Sequence, residues 1–99
     1  MTTGNDTKAM VRVHLPLALR PEAGGASALD VECGDVVDAL RALFARHPTL
    51  RRHILDESGS LRPHVNVFVN DTDVRAGDGL VTAVGTGDEI HIVPSIAGG

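Results

Sequence analysis

From Val11 to Leu15 apolar and polar side chains alternate, with Val11, Val13 and Leu15 on one face and Arg12 and His14 on the other. That period of two predicts a half-buried strand, ended by Pro16. Leu19 to Ser27 holds Pro21 and Gly24-Gly25 and reads as a wide connection. Ala28 to Glu32 is a second, weaker strand that can pair back on the first. The period then changes. Asp35 is placed as a helix N-cap, and Asp38 is a first-turn acid that suits the helix dipole. Val36, Val37, Leu40, Leu43, Phe44 and His47 form one stripe, with Arg41 and Arg46 off it, until Pro48 stops the helix.

Leu50, Ile54 and Leu55 allow a short second helical segment, and Asp56 to Ser60 is a loop. His64 to Asn70 is the clearest strand, with Val65, Val67 and Val69 inward and Phe68 outward. Asn70-Asp71 supports a tight turn into a short strand around Asp73 to Arg75. Leu80, Val81 and Val84 read as an irregular apolar clasp. Glu89 to Pro94 is the last strand, burying Ile90 and Ile92 and exposing His91 and Val93. The order strand, strand, helix, strand, short strand, strand predicts an α+β roll, a mixed sheet of four to five strands packed on one main helix. Its other sheet face then carries His14, Phe68, His91 and Val93 with Arg12 nearby, and apolar side chains flanked by His and Arg mark a partner-docking patch.

Composition narrows the class. The 99 residues make one domain, 42% apolar and 22% charged, without Trp or Tyr, so Val, Leu, Ile and Ala must build the core. A net charge of −4 argues against nucleic acid or an anionic membrane as the main partner. No signal core or bilayer-length apolar run is present, and the single cysteine, Cys33, forms no intramolecular disulfide; a cytoplasmic setting is expected. Cys33 reads as a half-buried, inert thiol beside a turn.

Catalytic motifs are absent. Gly24-Gly25 lacks the Lys-Ser/Thr of a phosphate loop, and there is no serine elbow. No closely spaced His/Cys set suggests zinc, because the His residues fall on different elements, so no metal ligand is assigned. The one group set up for chemistry is the carboxylate of Gly99. Residues 1–8 read as a flexible polar tail, 9–94 as the folded domain and 95–99 as a flexible second tail. From Ser95 onward an extended chain reaches about 17 Å. Ile96, Ala97, Gly98 and Gly99 can therefore enter a partner's active site, and glycine without Cβ passes a narrow channel. A frayed end or a cloning remnant is the plainer explanation of Gly-Gly.

Strand order, size and ending together resemble the ubiquitin-like β-grasp sulfur carriers of the ThiS/MoaD family, over about Met10 to Gly99. The resemblance is carried by Val67-Phe68-Val69-Asn70-Asp71, by Gly87-Asp88-Glu89-Ile90-His91-Ile92-Val93-Pro94 and by Gly98-Gly99. Leu19 to Gly25 and the ending Val93 to Gly99 look most like the CysO-type branch. The resemblance implies a non-enzymatic co-substrate that binds no cofactor itself. An E1-like adenylyltransferase/sulfurtransferase would use ATP and Mg²⁺ to adenylate Gly99, and a sulfur donor would convert the adenylate to a thiocarboxylate. A cysteine synthase-like enzyme would accept the sulfur, and a JAMM-type metalloprotease would release the product. Sulfur transfer to thio-sugars or other secondary metabolites, to molybdopterin or to the thiamine thiazole, a ubiquitin-like protein modifier, and a plain interaction module stay open.

Overall fold

The computed structural model describes residues 8–94. Five strands form one mixed sheet: β1 (Ala9–His14), β2 (Ala28–Cys33), β3 (Val65–Val69), β4 (Thr72–Asp73) and β5 (Glu89–Pro94), in the order β2-β1-β5-β3-β4. β1 and β5 run parallel, and the other pairs are antiparallel. The main helix, α1 (Val36–Arg46), and the short α2 (Leu50–Ile54) complete the regular elements beside three 3₁₀ turns. This is the expected α+β roll.

The alternation in the strands decides which face is dry. Val11 and Val13 of β1, Val31 of β2, Val65 and Val67 of β3, and Ile90 and Ile92 of β5 are buried in one cluster. Val36, Ala39, Leu40 and Leu43 of α1 join it, with Leu50 and Ile54 of α2. Each such large aliphatic side chain contributes about 1.5–3 kcal/mol by leaving water. Val37, Phe44 and His47, placed in the predicted stripe, sit only half-buried at its margin.

Asp35 caps α1 as expected: its carboxylate accepts a 2.8 Å hydrogen bond from the Asp38 amide. The Asp38 carboxylate accepts in return from the Gly34 amide at 3.1 Å and from Lys8 Nζ at 2.8 Å. Lys8 closes the stretch read as a polar tail; residues 1–7 lie outside the described part.

Four expectations need correction. The connection after Pro16 is not open loop: Leu17–Ala23 form a 3₁₀ helix with Pro21 inside it. Proline's fixed φ suits helical geometry, so Pro21 fits the segment at the loss of one backbone N–H. Arg20 Nε donates to the Leu15 carbonyl and Ala23 is buried, so the segment is tied to the body. Secondly, β2 runs one residue further, to Cys33, which is fully buried rather than half-buried because it ends on the core side of the strand. Thirdly, β4 stops at Asp73, whose carboxylate accepts from the Arg75 amide and starts a 3₁₀ turn at Val74. Val74 is the buried apolar side chain of that region. Lastly, of the predicted clasp only Val84 is buried; Leu80 is half-buried and Val81 is 67% exposed. The backbone holds this segment instead, through Val36 N–H to the Thr82 carbonyl and Val84 N–H to the Gly34 carbonyl.

Candidate functional site

The face of the sheet turned away from α1 is built by the residues that alternate with the core set. Parallel pairing sets Arg12 beside Glu89 and His14 beside His91. Antiparallel pairing sets Phe68 beside His91 and Asn66 beside Val93. Thus Arg12, His14, Phe68, His91 and Val93, assigned to one face from the sequence, do share it. Phe68 and His91 are half-buried among their neighbours, whereas Val93 is 42% exposed. A shallow groove runs between His14, Leu15, Pro16, His91, Ile92 and Val93, toward the end of β5.

Polar contacts fix the other end of this face. Arg12 donates to both carboxylate oxygens of Asp30, at 2.9 and 3.4 Å. Its guanidinium holds the Asp30 carboxyl below its ordinary range, first through that hydrogen bond. His14 Nε2 lies 2.6 Å from Glu89 Oε1, and the His14 and His91 rings stack with centroids 4.4 Å apart and planes 7° from parallel. Nε2 or Nδ1 of the two histidines and a Glu89 oxygen all lie within 4.8 Å of one another. No metal was assigned from the sequence. His14 and Glu89 are 75 residues apart along the chain, and only the parallel pairing of the first and last strands joins them.

The turn before β5 positions Glu89. Asn70 takes φ +56°, a left-handed conformation that asparagine tolerates better than most residues. Its side chain donates to Asp88 at 3.1 Å and accepts from the Glu89 amide at 3.1 Å. Asp88 also accepts from the Gly85 amide at 2.8 Å. The Asn70 and Gly85 donors together hold the Asp88 carboxyl below its usual value. This clamp explains the polar residues of the Asn70-Asp71 and Gly87-Asp88 turns in structural terms.

β5, the central strand of the sheet, ends at Pro94. Ile96, Ala97, Gly98 and Gly99, the predicted inserted tail and modified terminus, lie outside the described residues. Cys33 takes no part in this face. Burial pushes its thiol above its ordinary pKa, and the nearby Asp38 and Asp35 carboxylates add to the effect. Such a group is a poor nucleophile.

The ThiS family model matches residues 13–99. The chain is 39% identical over 92 residues to the sulfur carrier protein CysO of Mycobacterium tuberculosis, covering 90% of this chain and 98% of that protein. It is 41% identical over 64 residues to small archaeal modifier protein 3 of Haloferax volcanii, covering 65% of this chain and 68% of that one. Its structure is similar to a chain of the Amycolatopsis orientalis BexX/CysO complex, with a TM-score of 0.83 and 34% identity over 90% of this chain and 99% of that chain.

Proposed function

The chain belongs to the ThiS family, a ubiquitin-like β-grasp sulfur carrier/modifier class, and from that premise we propose that it carries sulfur on the carboxylate of Gly99. The observation that carries this reading is a family match that runs through the fold and on to Gly98-Gly99. In the first step a carboxylate oxygen of Gly99 attacks the α-phosphorus of ATP, pyrophosphate leaves, and an acyl-adenylate forms. A sulfide-level nucleophile then adds at the acyl carbon and AMP departs, leaving a thiocarboxylate. Both steps belong to an E1-like adenylyltransferase/sulfurtransferase with Mg²⁺; this chain supplies the reacting terminus.

Chain geometry supports the division of labour. A tail leaving β5 after Pro94 reaches about 17 Å when extended. The folded body then docks outside while the terminus enters a site from which water is excluded. Phe68, His91, Val93, His14 and Arg12 form the docking face, three of which (His14, His91 and Val93) line the shallow groove. A neighbour solved in complex with a second protein supports a carrier that works while bound.

The acceptor that fits best is a cysteine synthase-like enzyme, given the 39% identity to a sulfur carrier protein named CysO. There the new amino acid forms on the carrier's end, and a JAMM-type metalloprotease releases it. Action in the cytoplasm fits ATP-dependent activation. Among the described residues no helix is long and apolar enough to cross a membrane. The likeness to a small archaeal modifier protein favours a second reading, in which Gly99 is joined to lysine side chains of other proteins.

Intact-mass spectrometry of the full chain, incubated with an E1-like enzyme, ATP, Mg²⁺ and a sulfide source, separates the two. The carrier reading expects the mass gain of sulfur replacing one oxygen, and loss of that gain when Gly99 is deleted. Protein conjugates without any free thiocarboxylate would establish the modifier instead. No adenylate and no conjugate would remove both.

A further inference from the structure

We propose that His14, Glu89 and His91 form a binding site for a divalent transition metal of the zinc class. Sulfur carriage as set out above does not use these three donors together, and this proposal stands whether or not that reading holds. Glu89 and His91 are two apart on β5 and so point to the same side of the sheet. His14 is the residue paired with His91 across the parallel β1–β5 ladder. The three donor groups already lie within 4.8 Å of one another.

The donor set has a definite chemistry. Two imidazoles and one carboxylate match zinc sites in which three protein ligands leave a fourth position open. Imidazole nitrogen also suits nickel and copper, while magnesium and calcium prefer oxygen alone. One carboxylate offsets part of the metal's charge. Arg12, the nearest fixed cation on the same strand, is engaged with Asp30.

Little has to move. Zinc–donor bonds of about 2.0–2.1 Å place tetrahedral ligands roughly 3.3 Å apart. The His14–Glu89 hydrogen bond opens, and the two rings turn out of their parallel stack toward a shared point. Side-chain exposures of 35% for His14 and 49% for Glu89 give room for that rotation and a path for the ion. The backbone positions do not need to change, since all three residues sit inside paired strands. The open fourth position faces outward and takes water or a side chain of a bound protein.

The test titrates the full chain with Zn²⁺ alone, read by competition with a chromophoric chelator, and repeats it with Co²⁺, whose visible absorption reports coordination. One equivalent is expected to bind. Losing an outer-shell partner already costs 10–100-fold in affinity, so His14→Asn, His91→Asn and Glu89→Gln should each weaken binding by at least about tenfold. His47→Asn and His64→Asn should leave it unchanged. In the unmutated protein, Zn²⁺ should shift the ring NMR signals of His14 and His91 and spare those of His47, His53 and His64. No stoichiometric binding, or binding that survives loss of both His14 and His91, overturns the proposal.

Discussion

Asp35 and Asp38 cap α1 in both directions: the Asp35 carboxylate accepts from the Asp38 amide at 2.8 Å, and the Asp38 carboxylate accepts from the Gly34 amide at 3.1 Å. This is a capping box displaced by one residue, with the shorter Asp where Glu is usual. It fixes where the helix starts relative to the end of β2. The 79–84 segment is bonded to the same corner through Val36 and Gly34.

Asp35→Ala removes one half of this arrangement. The expected cost is about 1 kcal/mol, which lowers the melting temperature by about 4–8 °C in a domain of this size. Urea unfolding followed by circular dichroism measures it. An unchanged midpoint would mean that water caps the helix equally well.

Acid should weaken the fold, and the sign follows from the carboxylates. The Asp38 carboxyl is held below its ordinary value of 3.8 by the Lys8 hydrogen bond and then by the Gly34 amide. Asp88 is held low by the Asn70 side chain and the Gly85 amide. A folded-state pKa below the unfolded one stabilises the fold fully above the unfolded value, and that stability is lost as pH falls through the folded one. Unfolding free energy should therefore be level between about pH 5 and pH 8 and decline from about pH 4 downward. The double variant Asp38→Asn/Asp88→Asn should show a flatter decline in parallel urea titrations.

Phe68→Asp should separate docking from folding. Phe68 is on the outer face opposite His91, so its replacement should cost about 1 kcal/mol or less in stability. Leu40→Ala, in the core, should cost about 2–5 kcal/mol. Calorimetric titration against an E1-like enzyme should show weaker binding for Phe68→Asp. Unaltered affinity would move the docking surface elsewhere.

Cys33 should resist alkylation while the protein is folded. It is fully buried and its thiol is pushed up in pKa, so little thiolate is available and the reagent has no access. Iodoacetamide labelling followed by mass spectrometry should therefore track the urea unfolding curve. Fast labelling in buffer alone would show that the end of β2 opens locally.

Gly98→Ala should leave stability unchanged and slow adenylation, because a Cβ would enter the narrow part of the partner's channel. Pyrophosphate release by the activating enzyme measures the effect. Equal rates for the variant and the unmutated chain would remove the narrow-channel argument.

Much of the fold could be read from local chemistry. Alternation in Val11–Leu15, Val65–Val69 and Glu89–Val93 gave three strands and their dry faces, and Asp35 marked the start of α1. The errors fell where tertiary packing overrides local pattern. Val74 stands alone between Asp73 and Arg75 yet is buried, whereas Val81 sits in an apolar run beside Leu80 yet is exposed; the turns after β4 decide both. Pro21 reads as a breaker although a 3₁₀ helix accommodates it. The outer-face residues were legible because side-chain direction in a strand follows from counting by two. The His14–Glu89–His91 cluster was not, because it depends on a pairing between the two ends of the chain.

The central place of β5 ties synthesis to readiness. This strand is made after every other element of the sheet, yet it bridges β1 to β3. Until it emerges from the ribosome, the nascent β1–β2 hairpin and the β3–β4 hairpin have no common neighbour and the valine layer over α1 stays open to water. A molecule cut short before Glu89 would then be a substrate for proteases rather than an inert competitor. The cell would meet this polypeptide either as a finished domain or as one marked for disposal.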